Sequence, residues 1–206
     1  METITVDHCV LVKLIDKDKS ERQRLMARAS EELLDYCLAN EIQIFMSSRV
    51  ENWDAATMTD QADHDRLAAL VTKYNIKETS AGFRLGDLPD AQTGKPSLIG
   101  PRGTIFGGVD MLVDHPSACP KTQAFISVFG EDPIDRPASN TGRKLPNWIG
   151  DYDSLKGHYI AGYGIFVTLD TNVPCFDTSS REKAFVELDL LIKSPEEALC
   201  LLRTRA

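Results

Sequence analysis

An α/β fold built on a parallel sheet is what this chain predicts, and three observations carry that reading. Short runs rich in β-branched residues alternate with longer segments of helical periodicity from Thr3 to Tyr74. The same alternation returns after Asp151 and ends in a helix with a strong start signal. Between them, from about Asn75 to Gly150, glycine and proline are dense and the periodicity is lost, which marks a long insertion in the scaffold.

Thr3 to Val12 (TITVDHCVLV) reads as the first strand, interrupted by Asp7 and His8. Ser20 to Asn40 reads as an amphipathic helix. Leu25, Ala29, Leu33 and Cys37 recur every four residues, Leu34 and Leu38 lie alongside, and Ser20 supplies the N-cap. Ile42 to Ser48 (IQIFMSS) is a second strand, with a helical stretch from Arg49 onward. Gln61 to Tyr74 is a third helix whose apolar side carries Leu67, Leu70, Val71 and Tyr74. Strand, helix, strand, helix in this order predicts βαβ units.

The insertion holds short β-like runs such as Gln123 to Phe129 (QAFISVF). With apolar runs of this kind it is expected to be ordered and to pack over one side of the sheet, with a hairpin or two. There it either fills space or walls a substrate cleft. Beyond it, Asp153 to Ala161 is a helix, Ile165 to Leu169 (IFVTL) a buried strand, Ser179 to Leu188 a helix and Leu190 to Lys193 a short last strand. Ser194-Pro195-Glu196-Glu197 then opens the terminal helix, with a Ser cap, a proline in the first turn and two acids beside the helix N-terminus.

At 206 residues the chain suits one well-buried core, so residues 1–206 are taken as a single domain with 75–150 as its elaboration. No apolar run reaches the roughly 18 residues of a membrane span. The opening METITVDHCVLVKL lacks the basic-then-apolar order of a signal sequence. Five cysteines (Cys9, Cys37, Cys119, Cys175, Cys200) form no CxxC pair and are odd in number. That argues against a disulfide framework or a zinc ribbon and for a reducing compartment. A cytoplasmic protein with no membrane partner is the expectation, with most thiols as small core residues. The net charge of −8 argues against nucleic acid as a partner, unless cations offset the acids locally or basic residues gather on one surface. Gly107-Gly108 lacks the context of a phosphate-binding loop, and no Ser-His-Asp or Cys-His set has a local signature.

The acids are the informative residues. Phosphodiester hydrolysis assisted by Mg²⁺ or Mn²⁺ needs a few carboxylates as hard oxygen ligands, with water and phosphate completing the shell. In an open parallel sheet such groups belong at the carboxyl ends of strands, where the crevice lies. Asp7 sits within the first strand, Glu51 and Asp54 just after the second, and Asp170 at the end of the Ile165 to Leu169 strand. Asp151 and Asp153 stand at the start of the helix before that strand. Strand interiors disfavour Asp, so Asp7 between Val6 and the CVLV run calls for a reason.

DYDSLKGHYIAGYGIFVTLD followed by LLIKSPEEAL resembles the closing pattern of the PIN-domain nuclease family. That pattern is an acid opening a helix, a His or Ala, a small-residue turn, an apolar strand ending in T-x-D, then a strand and P-E-E. TVDHCVLVKLID is similar to the family's opening strand with its Asp. IFMSSRVENWD is similar to its middle element, where a strand ends in Ser or Thr and a helix supplies an acid. The resemblance covers roughly residues 3–54 and 151–199 and leaves the insertion outside it.

The resemblance implies a three-layer α/β/α fold with a central, mainly parallel sheet, and Mg²⁺- or Mn²⁺-dependent cleavage of RNA, less often DNA. Carried over one by one, Asp7 is the first acid, Glu51 or Asp54 the middle one, Asp151 with Asp153 beside it the third, and Asp170 the last. Asp7, Asp151, Asp153 and Asp170 are then the metal ligands. The partners implied are an RNA substrate and an antitoxin or other protein; a homodimer follows from the general habit of soluble oligomers. Because several family members are degenerate, a binding or scaffold module without activity is the alternative. A receiver-like phospho-accepting pocket is disfavoured, since paired adjacent acids after the first strand are missing.

Each residue also has a structural reading. An Asp near a strand end commonly serves a turn or a cap, and Asp151 and Asp153 would cap a helix starting there. Glu51 and Asp54, one helical turn apart, pass as solvated helix acids. His158 resembles a small-or-His position of the family and is read as a packed helix residue. Ser47 and Ser48 hold a metal-bound water or phosphate oxygen, or cap the next helix. Arg49 and Arg102 are phosphate contacts or solvated surface.

Overall fold

The computed structural model describes residues 2–15, 20–47, 61–79, 83–84, 105–106, 120–130, 145–171 and 175–205. In chain order its elements are β1 (Thr3–Val6), α1 (His8–Ile15), α2 (Glu21–Ala39), β2 (Gln43–Ser47), α3 (Gln61–Lys73), β3 (Lys77–Thr79), β4 (Phe83–Arg84), β5 (Ile105–Phe106), α4 (Pro120–Phe129), α5 (Leu145–Ala161), β6 (Ile165–Val167), α6 (Thr178–Leu188), β7 (Leu191–Lys193) and α7 (Pro195–Arg205). Five strands form one sheet in the order β3-β2-β1-β6-β7, and every neighbouring pair runs parallel. β4 and β5 pair antiparallel as a separate two-stranded ribbon.

Strand alternation sends the sheet's side chains into two cores. Ile4 and Val6 of β1, Ile44 and Met46 of β2, and Ile165 and Val167 of β6 share one cluster. There they meet Val10, Leu11 and Ile15 of α1, Leu33, Leu34 and Cys37 of α2, Leu67 of α3, and Ala198, Leu199 and Leu202 of α7. Phe166 of β6 and Ile192 of β7 point the other way, into a cluster with Phe125 of α4, Tyr152 and Leu155 of α5, and Ala184 of α6. Helices therefore cover both faces, as a parallel sheet buried on two sides requires, and the arrangement is compatible with three α/β/α layers. No described helix is long and apolar enough to cross a membrane.

The strand order reverses beside β1. The chain steps outward from β1 to β2 to β3, then returns to pair β6 against the other side of β1 and continues to β7. The carboxyl ends of β1 and β6 thus flank a topological switch point, where open α/β sheets form their crevice.

Several starts and stops follow from local chemistry. Ser20 and Gln23 close a reciprocal capping box on α2. Ser194 and Glu197 do the same on α7, at 2.8 and 3.2 Å, with Pro195 as its first residue. Asp177 caps α6 through the Ser180 N–H. After α5 the chain turns at Gly162, whose φ of +72° suits glycine. A Cβ on Gly164 would stand 2.8 Å from the Thr3 carbonyl oxygen, so only glycine lets β6 enter this close to β1.

Four expectations are corrected. The first strand stops at Val6 and residues 8–15 form α1, so Asp7 is a strand-to-helix junction residue and lies outside the strand interior. Val10, Leu11 and Ile15 reach the core at helical spacing, a pattern that a short apolar run does not separate from a strand. The β-like run Gln123 to Phe129 lies in α4, where Phe125 and Thr122 are buried. The helix expected from Asp153 begins at Leu145, which puts Asp151 and Asp153 in its interior and removes their reading as caps. On α2 the buried stripe runs through Ala27, Ser30, Leu33, Leu34 and Cys37, while Leu25 and Leu38 are exposed.

Within the insertion, α4 packs on one side of the sheet. The Phe125 ring lies tilted against Phe129 and Tyr159 and edge-on to Tyr152. The Tyr152 hydroxyl donates to the Gly130 carbonyl at 3.0 Å. Most of residues 75–150, and the expected helix after Arg49, lie outside the described residues.

His158 of α5 is fully buried against β1. Its Nδ1 is 2.7 Å from the Thr5 hydroxyl, and its ring meets Phe166 and Tyr163 edge-on. It is a packed helix residue, as read. Burial lowers its pKa from 6.5 to about 3, and that of His8 to about 4. An imidazole kept neutral in this way contributes stability that is complete above pH 6.5 and is lost as pH falls toward about 3. Urea denaturation at stepped pH is expected to show stability declining across that window, and His158→Asn to make the decline shallower. An unchanged slope in the variant would remove His158 as the cause.

Candidate acidic site at the sheet switch point

Asp7 is positioned by backbone before its side chain acts. Its N–H continues the β1–β6 ladder by donating to the Val167 carbonyl at 2.9 Å, and its own carbonyl accepts the Val10 N–H at 3.1 Å in the first turn of α1. The residue closes a strand and opens a helix at once, and its carboxylate stays buried.

That carboxylate is gripped from three directions. Oδ1 accepts the His8 backbone N–H at 2.8 Å. Oδ2 accepts the Thr168 hydroxyl at 2.7 Å and the Cys9 thiol at 3.1 Å. Thr168 Oγ1 in turn accepts the Asp170 N–H at 3.1 Å, so one hydroxyl links the side chain of Asp7 to the backbone of Asp170. Arg181 holds the next point along, donating to the Asp170 carbonyl at 3.1 Å and to the Phe176 carbonyl at 2.7 Å.

Burial pushes the Asp7 pKa up; the Thr168, Cys9 and His8 donors pull it down, and the charge of Asp170 raises it further. The net direction is upward, so desolvation outweighs the donors. Burial and then the neighbouring Asp7 charge raise the Cys9 thiol well above its ordinary value, which keeps it a protonated donor. Cys175 behaves similarly. Burial comes first, followed by the charges of Asp151, Asp7 and, more weakly, Asp170.

Helix geometry sets which end of the sheet Asp151 lies toward. Asp151 and His158 are seven residues apart, which puts them on the same face about 10 Å apart along α5. His158 lies over Thr5. The short Gly162–Gly164 turn sends α5 back antiparallel to β6, so Asp151 lies toward the strand carboxyl ends, where Asp7 follows two residues after Thr5. Asp153, about 200° further round the helix, points away from Asp151. It is buried at 2 % exposure.

Of the six acids singled out in the sequence, the fold links Asp7 and Asp170 through the Thr168 hydroxyl, carries Asp151 and Asp153 in the interior of α5, and leaves Glu51 and Asp54 outside the described residues together with Ser48, Arg49 and Arg102. Ser47 is buried at the end of β2, the strand on the other side of β1. Among the described residues no three His, Cys, Asp or Glu side chains stand close enough to hold a metal ion. The donors are nevertheless of the right kind: carboxylate oxygens suit Mg²⁺ or Mn²⁺, and Mg²⁺ commonly takes only one or two carboxylates beside its waters.

Sequence reasoning missed Thr168, Cys9 and Cys175 as members of this neighbourhood. The signal for Cys9 was its place two residues after Asp7 in a helix's first turn, and for Thr168 its place two residues before Asp170. For Cys175 no local pattern pointed there. No protein family matches this chain, and neither do curated proteins or solved structures.

Because Thr168 gives Oδ2 its shortest contact, Thr168→Val is expected to destabilise the fold by about 1–3 kcal/mol, the penalty for a buried polar group deprived of a partner. Thr168→Ser, which keeps the hydroxyl, is expected to lose much less. Equilibrium urea denaturation compares the three proteins, and equal stability of the valine variant and wild type would contradict the grip described.

Proposed function

We propose that this chain is a PIN-like, divalent-metal-dependent ribonuclease that hydrolyses RNA phosphodiester bonds. The observation that carries the reading is the hydrogen-bonded link from the Asp7 carboxylate through the Thr168 hydroxyl to the Asp170 N–H, beside the point where strand order reverses. A raised carboxylate pKa caused by burial and a like charge is a signature of functional sites.

In this reading Asp7, Asp151 and Asp170 hold Mg²⁺ or Mn²⁺, Asp153 buttresses α5, and Glu51 or Asp54 completes the set from the chain after β2. A divalent ion held there would supply Lewis-acid chemistry, activating water and offsetting negative charge at phosphorus. Thr168 keeps Asp7 and Asp170 in fixed relation through its two hydrogen bonds. Arg181 holds the Asp170 carbonyl and so restrains the segment that presents that carboxylate. Like charges in a shared site repel when no cation lies between them.

A second reading, a PIN-like binding or scaffold module without activity, is favoured by one feature. Asp7 already has three protein donors and is buried, as a purely structural carboxylate would be. Thermal melting with and without Mn²⁺, beside a cleavage assay on mixed-sequence RNA, separates the two. At an ion concentration 100 times Kd the stabilisation is about 2.7 kcal/mol, or about 5–10 °C in Tm for a domain of this size. Wild type is expected to show that shift and to cut RNA. Asp7→Asn and Asp170→Asn are expected to lose both while remaining folded. A shift without cleavage would support the binding module, and neither shift nor cleavage would contradict the metal site altogether.

A further inference from the structure

We propose that the outer edge of β7 is a dimerisation surface, on which a second copy of this chain pairs its own β7 antiparallel across a two-fold axis at Ile192. This surface requires no cation and is independent of the ribonuclease reading.

β7 stands last in the sheet order and pairs only with β6 among the described residues. A cleft of about 280 Å³ runs along its outer side, between Thr178, Glu182 and Phe185 of α6 and Glu197 of α7. The Lys193 carbonyl accepts the Thr168 N–H at 3.0 Å, so Lys193 and Leu191 turn their backbone groups toward β6. Ile192 between them turns its N–H and C=O toward the cleft. No described residue bonds that pair of groups, although Ile192 is only 3 % exposed. Backbone groups left unpaired so far from water are unfavourable.

The neighbouring groups decide what fits. The Leu190 N–H already donates to the Ala184 carbonyl at 3.2 Å. The Ser194 N–H donates to Glu197 at 2.8 Å, and the Ser194 carbonyl accepts the Ala198 N–H at 2.9 Å. A long peptide laid along the edge would therefore find little beyond Ile192 to pair with. An antiparallel two-fold contact needs no more than that, since two facing residues exchange both of their bonds. A second copy also brings the same apolar stripe to the contact from its own side. Glu182, Phe185 and Val186 lie at i, i+3 and i+4 on α6, and Phe185 and Val186 are 55 % and 80 % exposed. A two-fold axis perpendicular to the sheet at Ile192 brings the two α6 helices alongside on one face, where these residues bury one another. The cleft balances Arg181 and Lys193 against Glu182 and Glu197, so two chains of net charge −8 meet here without local repulsion. Phe185 and Glu182 flank the strand and shift rotamer to admit it, as interface side chains commonly do.

Sedimentation equilibrium of wild type, Phe185→Glu and Val186→Glu tests the surface, with urea denaturation of each as a control for folding. Amide exchange at Ile192, followed by NMR at rising protein concentration, tests the strand pairing. Wild type is expected to approach twice the 22.9 kDa of the chain as concentration rises, with Ile192 exchange slowing in step. Both variants are expected to stay at the mass of one chain, with Ile192 exchange independent of concentration. Val186 is the more exposed of the two, so its variant carries the comparison if Phe185→Glu does not fold. A wild type that remains at the mass of one chain up to about 1 mM, the range of weak association, would overturn the proposal. So would a dimer that survives in a folded variant, because the contact would then lie elsewhere. A dimer whose formation leaves Ile192 exchange unchanged would overturn it too, because the strands would not be paired.

Discussion

The 2.7 Å hydrogen bond from the Thr168 hydroxyl to Asp7 joins the ends of two strands that are 161 residues apart in the chain. Everything at the candidate site depends on it. It spans β1 and β6 across the reversal of strand order, and through the Asp170 N–H it fixes the second acid relative to the first. A buried carboxylate is expensive unless its acceptors are filled, so the bond also explains how Asp7 is tolerated beside an apolar core. The sheet places the two strand ends side by side, and the hydroxyl converts that adjacency into a defined arrangement of charge.

The same burial gives the site its electrostatic character. Three of the nearby groups, Asp7, Cys9 and Cys175, are shifted in the direction that disfavours their charged forms, with desolvation as the largest cause for each. The surroundings therefore disfavour further negative charge. That local preference is compatible with the acidic balance of the whole chain, whose net charge of −8 is otherwise unfavourable for meeting a polyanion. In the proposed reading, a divalent ion at the switch point would offset the acids' charge for an approaching phosphate.

Much of the scaffold was legible from sequence. The β-branched runs and helical stretches on either side of the insertion correspond to β1, β2, β6 and β7 and to α2, α3, α6 and α7, because their periodicity and caps agree with their packing. Ser20 with Gln23 and Ser194 with Glu197 are local signals, and they act locally. The failures came where local signals were ambiguous. CVLV reads equally as strand or helix until the core shows Val10, Leu11 and Ile15 at helical spacing. QAFISVF is rich in strand-forming residues, yet burial of Phe125 against α5 and α6 overrides that preference. For α5, Pro146 near its first turn was the available start signal, hidden by the breaker-rich residues before it. The site was half legible. Asp7 and Asp170 stand out by position, and Asp151 shares a helix face with His158. The thiols that surround them are recognisable only once β1 and β6 are adjacent.

The central claim is that Asp7, Asp151 and Asp170 form one cation site at the switch point. Anomalous scattering from crystals grown with Mn²⁺ tests it most directly. The account predicts a single peak beside Asp7, at the carboxyl ends of β1 and β6. A peak elsewhere on the molecule, or none near Asp7 in crystals saturated with the ion, would contradict it.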